Sequence, residues 1–87
     1  MPTVFIPAQL RDLTGGIRQI DIEAATMRQV IAALEGRFPG IRERLCQGDA
    51  IAPGLAVSID GSISARGLLA PVAPNSEVHF LPAIGGG

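Results

Sequence analysis

The sequence predicts an α+β fold, a mixed sheet of four to five strands packed on one main helix. Three observations predict it: short segments in which apolar and polar residues alternate, one amphipathic helix with its own start signal, and the order β-β-α-β-β-β in which they follow one another.

Thr3-Val4-Phe5-Ile6 alternates, turning Val4 and Ile6 to one face and Thr3 and Phe5 to the other, and Pro7 ends the strand. Thr14-Gly15-Gly16 supplies turn chemistry. Ile17 to Glu23 then alternates again, with Ile20 and Ile22 opposite Gln19, Asp21 and Glu23, and pairs most simply as a hairpin with the first strand. Thr26 with Gln29 three residues later is a capping-box pattern, so a helix starts there. Met27, Val30, Ile31, Leu34 and Phe38 form its apolar stripe, while Arg28, Gln29, Glu35 and Arg37 lie away from it.

Pro39-Gly40 stops the helix, and Ile41 to Leu45 allows one further turn before a Gln47-Gly48-Asp49 loop. Leu55 to Ile59 is a strand with Val57 and Ile59 inward, Asp60-Gly61 is a two-residue hairpin signal, and Ser62-Ile63-Ser64 is the short return. Gly67 to Asn75 reads as a loop with room for a turn of 3₁₀ helix. Glu77 to Leu81 is the last strand, with Val78 and Phe80 facing the core, and Pro82 beyond it cannot donate to a ladder. The order fits the ubiquitin-like β-grasp architecture, with a single domain over residues 1–81 and a flexible glycine tail over 82–87.

Composition narrows the function. A chain of 87 residues supports one core. Its formal charge of -1 and scattered arginines lack the footprint of a nucleic-acid binder, and Phe5, Phe38 and Phe80 are too few to stack bases. The apolar runs are all interrupted, so no membrane span is expected, and the cytoplasm is the expected location. One Cys and one His supply neither a zinc site nor a nucleophilic triad, so neither a metal site nor a catalytic residue is expected.

Four segments carry a family resemblance. They are Ile6-Pro7-Ala8-Gln9-Leu10-Arg11-Asp12-Leu13-Thr14-Gly15-Gly16; the helix and turn from Thr26 to Leu45; Val57-Ser58-Ile59-Asp60-Gly61; and Glu77-Val78-His79-Phe80-Leu81-Pro82-Ala83-Ile84-Gly85-Gly86-Gly87. Together they resemble the MoaD/ThiS family of ubiquitin-like sulfur carrier proteins over essentially the whole chain. Asn75-Ser76 stands where the family usually has a Gly-Asp turn, and Ala83 where many members have a second proline.

The resemblance implies that Gly87 is the thiocarboxylate and adenylation site, with Gly85 and Gly86 giving the tail reach. It implies no bound cofactor: ATP is used by an E1-like adenylating and sulfurtransferase partner, and an acceptor synthase takes the sulfur. The Ile-Pro-x-x-Leu-Arg-x-x-Thr-Gly-Gly opening and Glu43-Arg44-Leu45 look more like carriers of cysteine biosynthesis, whose acceptor is a cysteine synthase-like enzyme. The alternatives are the small subunit of molybdopterin synthase, whose large subunit receives the tail, and a ubiquitin-like modifier joined to lysines.

Three side-chain features accompany the tail. All seven basic residues are arginine, a poor nucleophile, so an activated terminus would meet no lysine amine on its own carrier; arginine-rich codon usage is the competing account. Cys46 reads either as a small apolar side chain or as a persulfide site, with no cation cluster visible beside it. His79 reads as a surface histidine or, with Phe5, Pro7 and Leu81, as part of a partner-docking patch, since the family's sheet face docks activating and acceptor enzymes.

Overall fold

A computed structural model describes residues 1–83, and at their centre the first and last strands of the chain lie side by side. The strands are β1 (Thr3–Phe5), β2 (Gln19–Asp21), β3 (Cys46–Gln47), β4 (Ala50–Ile51), β5 (Leu55–Ile59), β6 (Ser62–Ile63) and β7 (Glu77–Pro82). The helices are α1 (Met27–Arg37) and α2 (Ile41–Leu45), with 3₁₀ turns at Ala8–Leu10 and Gly67–Leu69. A five-stranded sheet runs β2-β1-β7-β5-β6, in which β1 and β7 are parallel and the other pairs antiparallel. This is the ubiquitin-like β-grasp.

Period-two alternation sorts the sheet into faces. Val4, Val57, Val78 and Phe80 point inward and are buried, and Met27, Val30, Ile31 and Leu34 of α1 pack against them in one cluster. Ile6, Ile22, Phe38, Ile41 and Leu45 complete the core at its ends.

The start of α1 is capped as its sequence suggests, with one shift. The Gln29 N–H donates to Thr26 Oγ1 at 3.3 Å, but the Gln29 side chain accepts from the Ala25 N–H at 2.7 Å, one residue before the cap. Met27 N–H donates to the Ala70 carbonyl and Val72 N–H to the Ala25 carbonyl, both at 2.9 Å. The segment after the second 3₁₀ turn thus holds the helix entrance to the body of the fold.

The end of α1 depends on a polar residue. Gly40 turns the chain at φ 100°, a conformation suited to glycine. The Glu35 carboxylate accepts from the Gly40 N–H at 3.0 Å and from the Arg42 N–H at 2.9 Å, supplying the first amides of α2 with acceptors. The Gly40 bond, and then the Arg42 bond, hold the Glu35 carboxyl below its ordinary value of 4.5.

Three details depart from the pattern read along the chain. The loop expected at Gln47-Gly48-Asp49 is the tip of a small separate hairpin, with Cys46 opposite Ile51 and Gln47 opposite Ala50. β2 keeps only Gln19–Asp21 of the expected Ile17 to Glu23, because its partner β1 is three residues long. β7 runs through Pro82, opposite Leu55 of β5. Ala83 N–H bonds the Gly54 carbonyl and Asp60 N–H the Glu77 carbonyl, so alternate residues of β7 turn their amides to β5. Pro82 falls between them, and its missing donor lies on the side where β1 has ended.

The Asp60-Gly61 turn does more than reverse the chain. Asp60 adopts φ 53° and Gly61 φ 86°, as a primed hairpin turn requires. The Asp60 carboxylate accepts from the Ser76 hydroxyl and from the Glu77 N–H, each at 2.9 Å, and Ser76 Oγ accepts from the Ala73 N–H at 2.9 Å. Ser76 is buried, so the residue that replaces the family's usual turn residue carries its own network.

Two stability measurements check these polar contacts. Ser76→Ala leaves the Ala73 amide without its acceptor, and urea unfolding should show a loss of about 1–3 kcal/mol. A carboxyl held below its ordinary value stabilises the fold above that value and loses the contribution as pH falls through the folded pKa. Glu35→Gln should therefore lower the melting temperature at pH 7 and flatten its decline between about pH 5 and pH 3.

Candidate functional site

The sheet face turned away from α1 is where side chains with binding chemistry gather. Alternation places Thr3 and Phe5 of β1, His79 and Leu81 of β7, Ala56 and Ser58 of β5 and Ile63 of β6 on that face. Register then decides which are neighbours. Phe5 lies opposite His79, His79 opposite Ser58, and Ser58 opposite Ile63, so one row crosses four strands; Leu81 lies opposite Ala56 in the next row.

Phe5 and His79 are stacked, with ring centroids 4.2 Å apart and planes 4° from parallel. Both are half-buried, so His79 is not a freely exposed surface histidine. Together with Pro7, Arg11, Arg18 and Gln19 they line a concavity of about 370 Å³. Arg11, which lines it, has its Nε buried without a hydrogen-bond partner among the described residues, an arrangement that costs about 1–3 kcal/mol when nothing satisfies it.

Leu81 stands apart from that group. It lines a second, apolar concavity of about 470 Å³ with Ala56, Ile63, Pro82 and Ala83. Ile63 is 61% and Leu81 38% exposed, which leaves an apolar surface open to a partner. The four residues named from the sequence as a docking patch thus divide between two adjoining depressions. Ala56 and Ile63 were not among them, although the two-residue Asp60-Gly61 turn sets Ile63 opposite Ser58 and so on the outer face. Arg11 lies in a loop, where no periodicity reports on direction, and Arg18 lies just before β2, outside the part of the alternating segment that forms a strand.

The tail begins at the edge of the apolar concavity. The Ala83 N–H bond to the Gly54 carbonyl, 3.0 Å long, holds the last described residue against the sheet, and Ala83 also lines the concavity. Gly85, Gly86 and Gly87 lie outside the described residues.

Cys46 is on the opposite side of the molecule. It is buried in a depression lined by Arg28, Ile31, Glu35, Arg42 and Leu68, so the fold adds Arg28 to the Arg42 that lies nearby in sequence. Burial nevertheless pushes the thiol up, and Arg42 and then Arg28 offset only part of the shift. A thiol so placed stays protonated at neutral pH and is a poor nucleophile. Among the described residues no group of three or more His, Cys, Asp or Glu is placed to hold a metal ion, and no helix is long and apolar enough to cross a membrane.

Comparison with known proteins bears on the whole chain. The ThiS family model matches residues 4–87. Sulfur carrier protein CysO of Mycobacterium tuberculosis is 35% identical over 92 aligned residues, which cover 98% of this chain and 97% of that protein. A chain of the Amycolatopsis orientalis BexX/CysO complex superposes with a TM-score of 0.90 at 31% identity, with full coverage of both chains. The crystal structure of Mycobacterium tuberculosis CysO superposes with a TM-score of 0.87 at 29% identity, over 97% of this chain and all of that one. The family match runs from β1 through β7, and the chain belongs to the ThiS family.

Proposed function

We propose that the chain is a cytoplasmic sulfur carrier of cysteine biosynthesis, a co-substrate whose chemistry is performed by partner enzymes at the carboxylate of Gly87. The observation that carries this reading is a likeness to chains named as sulfur carriers that runs through the glycine terminus. The geometry of Ala83 supports it. Four residues separate Ala83 from the end of the chain, and a chain of that length spans at most about 14 Å. A partner seated on the outer sheet face is therefore within reach of the carboxylate.

The reaction follows from the weakness of a carboxylate as an electrophile. Attack of sulfide on the free acid would require oxide to leave. In the proposed sequence the Gly87 carboxylate attacks the α-phosphorus of ATP on the activating enzyme, releasing pyrophosphate and forming an acyl adenylate. A sulfide equivalent then adds to the carbonyl carbon, AMP leaves, and the product is a thiocarboxylate. Glycine suits the position because the absence of Cβ lets the carbonyl approach the nucleotide closely. A CysO chain occurs in a complex with BexX, and the exposed apolar surface of Ile63 and Leu81 is the reason we assign the partner of this chain to the outer sheet face.

Intact mass tests the proposal. Incubation with the activating enzyme, ATP and a sulfide source should add about 16 Da to the chain, the exchange of one oxygen for sulfur. Gly87→Ala should fold normally and be converted at least about tenfold more slowly, since a Cβ at the reacting residue restricts approach. High-mass adducts on lysines of other proteins would instead identify a protein modifier. Unimpaired function after removal of Gly86 and Gly87 would sink both readings.

A further inference from the structure

The basic concavity beside the Phe5–His79 stack is not used by the sulfur chemistry, yet it has the features of a recognition site. Arg11, midway along the loop that joins β1 to β2, and Arg18, at its end, both line it, and among the described residues no acidic side chain does. Arg18 is exposed, whereas Arg11 is half-buried with its Nε enclosed and without a hydrogen-bond partner among the described residues. The loop is held in place beneath them. The Ile6 N–H bonds the Arg18 carbonyl at 2.8 Å, the Gly16 N–H bonds the Arg11 carbonyl at 2.9 Å, and buried Thr14 donates its hydroxyl to the Ile17 carbonyl at 2.9 Å. The two guanidinium stems are therefore anchored by a fixed backbone.

An arginine offers a carboxylate two parallel donors when Nε and one terminal nitrogen act together. In Arg11 the Nε is enclosed, with no surface of its own, so the two terminal nitrogens are the donor pair it offers. A second cation across a depression walled by an aromatic stack favours one compact, planar anion over a diffuse chain of charge. A phosphate would fit the charge but has no use for the flat wall that Phe5 and Pro7 provide to the side-chain methylenes of Asp or Glu. The adjoining concavity, lined by Leu81, Ile63 and Ala56, is apolar, so the whole face presents a greasy seat with a cationic flank.

We infer that Arg11 and Arg18 form a carboxylate-recognition subsite, which takes an Asp or Glu side chain of the activating enzyme when that enzyme docks on the outer sheet face. The inference rests on the docking role proposed above. In this arrangement the apolar concavity supplies contact area and the arginine pair sets orientation. Charge complementarity of this kind acts on encounter rate and register more than on contact area.

Two measurements on the full chain test it. In the first, glutarate is titrated at constant ionic strength against a chloride reference while the arginine Nε–H resonances are followed. Saturable shifts confined to Arg11 and Arg18 support the subsite; equal small shifts at Arg37 and Arg44 overturn it. In the second, the activating enzyme is assayed by pyrophosphate exchange. Arg18→Glu, at an exposed position, should raise KM for the carrier about tenfold with kcat within about twofold, and the effect should shrink as salt rises. Arg11→Gln should act in the same direction, and Arg44→Glu on the far side should leave KM unchanged. A KM unmoved by Arg18→Glu, or raised equally by Arg44→Glu, overturns the inference. A chain that binds glutarate at Arg11 and Arg18 but is never adenylated refutes the sulfur-carrier reading and leaves the carboxylate site intact.

Discussion

The parallel pairing of β1 with β7 joins the two ends of the chain, and both faces of the molecule are organised on it. On the inner side Val4 lies opposite Val78, and both are fully buried against α1. On the outer side the next pair, Phe5 and His79, stack on one another. Seventy-one residues separate β1 from β7, so closing this pair carries a loop-entropy cost, and the apolar stripe of α1 packs over it. Once formed it gives β2 a partner on one side and β5 on the other. The site is thus a consequence of the core: the same register that buries two valines brings the aromatic pair together.

What could be read along the chain was whatever depends on neighbours within one element. The stripe Met27, Val30, Ile31, Leu34 and Phe38 is buried in full, and the inward assignment of Val4, Val57, Val78 and Phe80 follows from alternation alone. Alternation gives a face but not a neighbour. That Leu81 sits with Ala56 and Ile63, apart from Phe5, His79 and Pro7, follows from registers between strands distant in sequence. The β3–β4 hairpin escaped for a different reason. It is two residues on each side, and only the φ of 62° at Gly48 marks its turn, too little pattern to separate from a loop.

Polar residues were the least legible, because their role lies in who they meet and not in their spacing. Glu35 reads as one more solvated position on the outer side of a helix, yet it supplies acceptors to the entrance of α2. Ser76 reads as a departure in a turn, yet it ties the Ala73 amide to Asp60 and so aligns β7 with the β5–β6 turn. Each joins segments that the apolar core only brings near. The core chooses the layers; these contacts choose the register within them.

A carrier of an activated acyl group faces a constraint that ordinary binding domains do not, since its own nucleophiles compete for the group it carries. Arginine supplies every basic side chain here, and a protonated guanidinium is a poor nucleophile. The one thiol is buried on the face away from the tail root, and burial keeps it in the unreactive protonated form. Arginine also serves recognition better than lysine would, because its planar fork can read a carboxylate. Under the proposed function the same residue choice meets two demands at once, directional donors for recognition and no lysine amine to consume the acyl end.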